Sequence, residues 1–261
     1  LYESGKLVVQ GKEAQTYVQL LSPAELTGDD NASRFDAAVQ KLGQPTPSAW
    51  LGSDESGKGD YFGPLVVCAA RVERKQMRLL EELGAADCKT LSDKQILELA
   101  PGLKAATAFS TVVLMPRRYN ELYAKIGNLN KLLAWAHARA HEDVLEKGLE
   151  AQTIIVDQFG PETRVASALM DRARGLKLIQ RPKAEDDPAV AVASIIARNE
   201  FLYRIRQLGK EFGIALPKGA GGPIMTAGHQ FVAKYGADAL GQVAKVHFKI
   251  TDRLVKPVSA A

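Results

Sequence analysis

At 261 residues, 46% of them hydrophobic and 25% charged, the chain has an ordinary globular composition and room for one large domain, or a medium one with an appendage. Its longest uncharged apolar stretch, Ala105 to Met115 ("AATAFSTVVLM"), is too short to cross a bilayer, and its two cysteines, without metal-ligand spacing, exclude a disulfide scaffold; a reducing cytoplasm is the expected setting. The net charge of +4 divides into −2 for residues 1–49 and +6 for the rest, a balance that suits a polyanion such as nucleic acid, although on charge alone a plain solvated surface is the simpler reading.

No signal-peptide pattern is visible, and the first residue is Leu rather than Met, so the true N-terminus is expected further upstream. Residues 1–26 read as a strand ("KLVVQ") and a short helix ("EAQTYVQLL"), too little to form a core. Residues 27–48, with "TGDDNAS" and "QPTPS", read as a linker around a modest helix at 34–42, which places a boundary near Ala49. Beyond it, "AWLGSD" and "DYFGPLVVCAARV" are strands joined by a Gly-rich turn, Cys68 being a small core residue of the second. A Ser-capped helix at 92–100, a strand "TAFSTVVLM" and helices at 117–126 and 130–147 come next. "TIIVD" has the continuous apolarity of a strand buried on both faces. A helix at 161–173, a strand "LKLIQR", a long helix at 188–208 and a helical, loop-rich remainder complete the chain. Strands alternating with helices, opened by a tight turn, predict an α/β fold with a mixed central sheet flanked by helices.

The stretch "WLGSDESGKGDYFGP" fits the phosphate-loop frame through Gly52, Gly57 and Lys58. Three features defeat that reading and with it a nucleotide cofactor. Gly59 stands where Ser or Thr would hold Mg²⁺, the charges of Asp54 and Glu55 would repel a polyphosphate, and a strand follows where a helix N-terminus is needed. The carboxylates are better read as the working parts. "LGSDE" and "TIIVD" are apolar strands that both end in acid, and as parallel neighbours they would bring Asp54, Glu55 and Asp157 to the carboxyl edge of the sheet. Glu185, Asp186 and Asp187 directly precede a helix begun by Pro188, whose Ala189, Ala193 and Ala197 allow close packing on a sheet. Carboxylates without His or Cys are hard ligands suited to Mg²⁺ or Mn²⁺, a pair of which can clamp a phosphodiester. Against this, a strand-terminal Asp is often a turn former and Asp186 or Asp187 is most simply an N-cap, so spacing alone leaves the two readings near even.

The blocks "GSDESGKGDYFGPLVV", "YNELYAKIGNLNKLLAWAHARA", "IIVDQF", "RPKAEDDPAVAVASIIAR", "LPKGAG" and "AKVHFKIT" resemble the bacterial ribonuclease HIII family, relatives of ribonuclease HII, almost unbroken from Trp50 to Thr251. The resemblance implies a ribonuclease H-like catalytic domain over 49–261 that acts as a monomer. It implies cleavage of the RNA strand of RNA/DNA hybrids with Mg²⁺ or Mn²⁺, leaving 5′-phosphate and 3′-hydroxyl ends. Carried over by motif, the metal-binding acids are Asp54, Glu55, Asp157 and Glu185, the last favouring HIII because HII typically has Asp there. Gly57-Lys58-Gly59 matches the family's motif that touches the hybrid backbone, where glycines let the chain approach a ribose 2′-OH. Lys89 could contact a phosphate; it lies in "DCK" where the family usually has "DSK", which puts one hydrogen bond in doubt. "YESGKLVVQGK" resembles the end of the family's substrate-binding domain, similar in fold to the TATA-binding protein, so residues 1–26 read as its remnant, with weakened hybrid binding expected. Poor activity on single ribonucleotides in DNA is also implied. The rival readings are a metal-dependent DNA nuclease of the same fold, such as a resolvase, and a non-catalytic nucleic-acid-binding protein.

Other residues carry less. His137 and His141 lie four apart on a helix but lack the zinc-hydrolase Glu, so packing or solvent contact is the simpler reading. His229 and His247 have no evident partner, Asn128 and Asn130 fit capping, and Phe201 and Tyr203 fit core packing better than a stacking surface.

Overall fold

The structure is a computed structural model and describes Ser33 and residues 35–86 and 88–255. The elements expected within 1–26 and most of the first half of the linker lie outside the described residues. Five strands form one sheet: β1 Ala49–Ser56, β2 Leu65–Glu73, β3 Ala108–Leu114, β4 Thr153–Asp157 and β5 Lys177–Arg181. Their order is β3-β2-β1-β4-β5. The short connection 57–64 makes β1 and β2 antiparallel, as are β2 and β3, whereas helical crossovers make β1, β4 and β5 parallel. The sheet is therefore mixed, as the sequence predicts.

Nine α-helices among the described residues surround it: α1 Asp36–Gln40, α2 Met77–Glu82, α3 Asp93–Ala106, α4 Pro116–Ile126, α5 Leu129–Leu145, α6 Glu162–Ala168, α7 Pro188–Phe212, α8 Gly222–Tyr235 and α9 Ile250–Val255. Alternation along the strands sorts side chains into two cores. Trp50, Val66, Cys68, Ala70 and Ile155 pack with α7, and Phe35, Val39 and Leu42 around α1 join the same cluster. Leu51, Leu65, Val67, Ile154 and Val156 pack on the other face with α4, α5 and α6.

The small residues at the start of α7 do what their spacing predicts. Ala189, Ala193 and Ala197 are fully buried, and α7 approaches β1 so closely that a Cβ on Gly52 would stand 2.4 Å from the Val190 nitrogen. Ser92 caps α3 through a reciprocal pair with Gln95, and Asn128 caps α5 through the Lys131 N–H. Two elements depart from the sequence expectation. The helix expected over 161–173 ends at Ala168, because the Arg172 and Ala173 N–H groups donate to the buried Glu142 carboxylate at 2.9 and 3.1 Å instead of continuing a helical ladder. Helix α2, a short turn behind β2, has no sequence expectation; Met77 and Leu80 tie it to the core. Among the described residues no helix is long and apolar enough to cross a membrane.

Candidate active site

The β1/β4 ladder ends at the pair Ser53↔Val156, one residue short of Asp54 and Asp157, so both acids reach the carboxyl edge side by side. Strand alternation gives the adjacent Asp54 and Glu55 opposite faces. Asp54 belongs to the face covered by α7, with Trp50 and Gly52; Glu55 belongs to the α5 face, with Leu51 and Ser53. Their electrostatics follow from that split. Burial, the neighbouring Glu55 charge and the Asp157 charge push Asp54 well above the usual carboxylate range, against a 2.8 Å hydrogen bond from the Glu55 N–H. Burial would raise Glu55 too, but His137 Nε2 at 3.3 Å and Lys58 Nζ at 3.1 Å overcome it and hold Glu55 at about 2.

His137 is buried on α5 with both ring nitrogens engaged, Nδ1 lying 2.8 Å from the Ser53 hydroxyl. With Nε2–H donating to Glu55, Nδ1 is the acceptor for Ser53, which fixes one tautomer. Phe159 stacks on the imidazole at 5.0 Å and also lies beneath Lys58. His137 therefore packs as expected, but against a candidate acid, a contact its helical position alone does not reveal. The period-2 placement of Ser53 and Glu55 on one strand face is the signal that could have found it. His141 is fully buried, and neither of its ring nitrogens has a hydrogen-bond partner among the described residues.

Glu185 sits in the single turn Ala184–Asp186 ahead of α7, after Lys183 in the left-handed region (φ 54°). The Ala184 N–H donates to Asp157 Oδ1 at 3.1 Å, which ties this turn to the end of β4. Burial would raise Glu185, but Lys89 Nζ at 2.8 Å lowers it. Lys89 thus meets an acid of the predicted set in this structure. Asp187 is the N-cap of α7: its carboxylate accepts from Ala189 N at 2.8 Å and from Trp50 Nε1 at 3.1 Å, while burial pushes it up to about 6. Asp186 pairs with Arg181 and with Lys41.

A cleft of about 510 Å³ opens over this edge, lined by Asp54, Glu55, Asp157, Gly57, Lys58, Gly59, Cys88, Lys89 and Arg198. Glu185, the fourth expected acid, is not among the lining residues; its carboxylate meets Lys89, which is. Gly57 has φ 89° and packs against the Pro64 carbonyl and Phe201, so a side chain there is excluded; Gly59 is exposed with open space where a Cβ would be. Phe201 is buried as expected, but Tyr203 is 59% exposed and does not join the core, because it falls on the outer side of α7, where the Arg204 guanidinium lies over its ring. His247 has ring partners that its sequence context does not announce, stacking on Tyr123 at 4.2 Å.

The donor set suits a hard cation: oxygen ligands only, and a buried Asp54 whose charge is opposed by its surroundings and would be favoured by a cation. Among the described residues no three such groups already form a closed metal cage, since Lys58 and Lys89 engage Glu55 and Glu185.

A mixed sheet with acids gathered at its carboxyl edge has the layout in which open α/β folds place a site. The profile described as Ribonuclease HII matches residues 51–251. Ribonuclease HIII of Protochlamydia amoebophila is 42% identical over 259 residues, covering 99% of this chain and 83% of the relative; that of Chlamydia pneumoniae is 36% identical, covering 97% and 83%. Among solved structures, Bst-RNase HIII in complex with Mn2+ superposes with a TM-score of 0.77 at 32% identity, covering 94% of this chain and 81% of that one. The chain belongs to the ribonuclease HII family, in its ribonuclease HIII branch.

Proposed function

We propose that this protein is an endoribonuclease that hydrolyses the RNA strand of RNA/DNA hybrids and leaves 5′-phosphate and 3′-hydroxyl ends. The observation that carries the reading is the meeting of Asp54, Glu55 and Asp157 in one cleft rimmed by Gly57-Lys58-Gly59. Asp54, Glu55, Asp157 and Glu185 are the residues that would hold Mg²⁺ or Mn²⁺. The Mn²⁺ complex of the structural neighbour supports that class of ion. A pair of divalent ions held by these acids would supply an activated water and charge neutralisation at the leaving oxygen.

The chain's own groups do the rest. His137 and Lys58 keep Glu55 ionised and aimed at the cleft. The crowded Asp54 gains most from a cation, because its charge is otherwise opposed by burial and by two neighbouring acids. Lys58 and Lys89 at the rim can receive phosphates, and the open backbone at Gly59 lets the turn approach a ribose closely enough to sense its 2′-OH. Residues 1–26 are assigned to the end of a substrate-binding domain, and the working form is a cytoplasmic monomer without a nucleotide cofactor.

The test uses one end-labelled RNA strand, presented free, in a DNA hybrid and in an RNA duplex, beside a duplex DNA control, each with Mg²⁺, Mn²⁺ or EDTA. Cleavage confined to the hybrid and abolished by EDTA is the expected result. Cleavage of duplex DNA would mean a resolvase-like nuclease, and binding without turnover a non-catalytic protein.

A further inference from the structure

The turn that rims the cleft has little internal support. Within residues 57–64 a single backbone hydrogen bond, Asp60 N–H to the Gly57 carbonyl at 3.3 Å, closes it. The remaining polar groups of this buried loop must find partners elsewhere, and they find them in the C-terminal part of the chain. Tyr61 N–H donates to the Gly219 carbonyl and Gly219 N–H to the Asp60 carboxylate. Gly63 N–H donates to the Val243 carbonyl, and Lys245 N–H to the Tyr61 carbonyl.

The side chain of Lys245 takes two further carbonyls of the loop. It is fully buried, and its Nζ lies 2.8 Å from the Asp60 carbonyl and 2.8 Å from the Gly63 carbonyl, with the Tyr119 ring on a third side at 5.7 Å. Burial pushes the amine down to about 7, yet the charged and neutral forms both keep the two N–H donors these carbonyls need. The segment carrying Lys245 is itself pinned by Asn120 of α4, whose amide donates to the Gly241 and Ala244 carbonyls and accepts from the Val246 N–H.

We infer that Lys245 is a positioning residue for the reaction: by joining the Asp60 and Gly63 carbonyls it sets the backbone of the Gly57-Lys58-Gly59 turn from behind, without touching substrate. A buried lysine spent on two carbonyls of one loop is a costly way to fill a core, since desolvating an amine is unfavourable and an apolar side chain would pack as well. What an apolar residue cannot do is satisfy both carbonyls at once and so hold the loop in one shape. The inference rests on the proposed cleavage of hybrids, in which that turn meets the RNA strand.

The test compares the intact chain with Lys245→Met, which keeps the stem and loses the donors, on an end-labelled RNA/DNA hybrid with Mn²⁺. The expected result is a KM raised by about fivefold or more, with kcat and the Mn²⁺ concentration for half-maximal rate within about twofold of the parent, because the turn backbone meets substrate directly while His137, on α5 and not on this turn, still holds Glu55. A variant with the parental KM, or one whose kcat and Mn²⁺ dependence move in step with KM, overturns the inference. If Lys245→Met fails to fold by circular dichroism, Asn120→Ala decides: the same KM-only rise, smaller in size, supports the role, and an unchanged KM removes it. A parent chain inert on hybrid would sink the proposed function, and this inference with it; a parent that cleaves while both variants match it sinks the inference alone.

Discussion

Replacing Gly52 with Ala tests whether the packing of α7 on β1 holds the candidate site together. An added Cβ would stand 2.4 Å from the Val190 nitrogen, 2.5 Å from the Ala189 carbonyl carbon and 2.7 Å from the Ala189 Cβ, where ordinary contact begins at 3.4 Å. The nearest atoms are main chain and a Cβ of the first turn of α7, so no flexible side chain can swing away, and that turn must retreat by about 1 Å to restore van der Waals separation. Overpacking of this kind costs about 3 kcal/mol, the upper end of its usual range, because backbone has to move. For a chain of this size that corresponds to a fall in Tm of about 6–12 °C. Glu185 lies three residues before Pro188 and moves with that turn; if it holds metal as proposed, a displacement of about 1 Å there costs on the order of 10²-fold in rate. Thermal unfolding by circular dichroism and hydrolysis of a labelled hybrid, both well below the variant's Tm, measure the two effects separately. A Gly52→Ala protein with parental Tm and parental rate would refute the reasoning.

The other predictions concern charge and hydrogen bonding. Asp54→Asn should abolish hybrid cleavage and leave the fold intact. Because Asp54 is raised above its unfolded value of 3.8, it binds its proton more tightly when folded and stabilises the fold less as pH rises; without metal the Asn variant should therefore melt higher than the parent at pH 7, with the difference vanishing near pH 4. His137→Ala removes the donor to Glu55 and the acceptor for Ser53, and is expected to weaken Mn²⁺-dependent activity by about 10–100-fold, read from a Mn²⁺ titration. Trp50→Phe takes the indole N–H from the buried Asp187 carboxylate and should cost about 1–3 kcal/mol in urea unfolding. Asp187 stands at about 6, so it weakens stability progressively between about pH 4 and pH 6, and the Phe variant should extend that loss to higher pH.

Local pattern was enough for most of the architecture. The period-2 and continuous apolar runs marked all five strands, the tight Gly-rich turn against the helical crossovers distinguished antiparallel from parallel pairing, and Ser92, Asn128 and Pro188 announced helix starts. Asp54, Glu55 and Asp157 were legible because an acid ending an apolar strand is a local signal whose partner strand needs only to lie parallel beside it. Glu185, by contrast, could not be separated from Asp186 and Asp187 by spacing, and only the family motif singled it out. The folded chain gives the three different surroundings: Lys89 beside Glu185, Arg181 and Lys41 beside Asp186, and the Trp50 indole beside the buried Asp187.

What tertiary structure alone decided are contacts between residues far apart in the chain. His137 reaches Glu55 across 82 positions, Lys245 reaches Gly63 across 182, and Glu142 ends a helix by accepting from backbone 30 residues on. Beyond the period-2 placement of Ser53 and Glu55 on one face of β1, these contacts leave no periodic trace, because each is a single side chain satisfying a polar group that burial has stripped of water. The sequence by itself determined the layers, the strand directions and the acidic edge, since those follow from the spacing of apolar residues and turns. Which cation faces which acid, and which donor holds which loop, was decided only when the two cores closed on the sheet and brought these groups together.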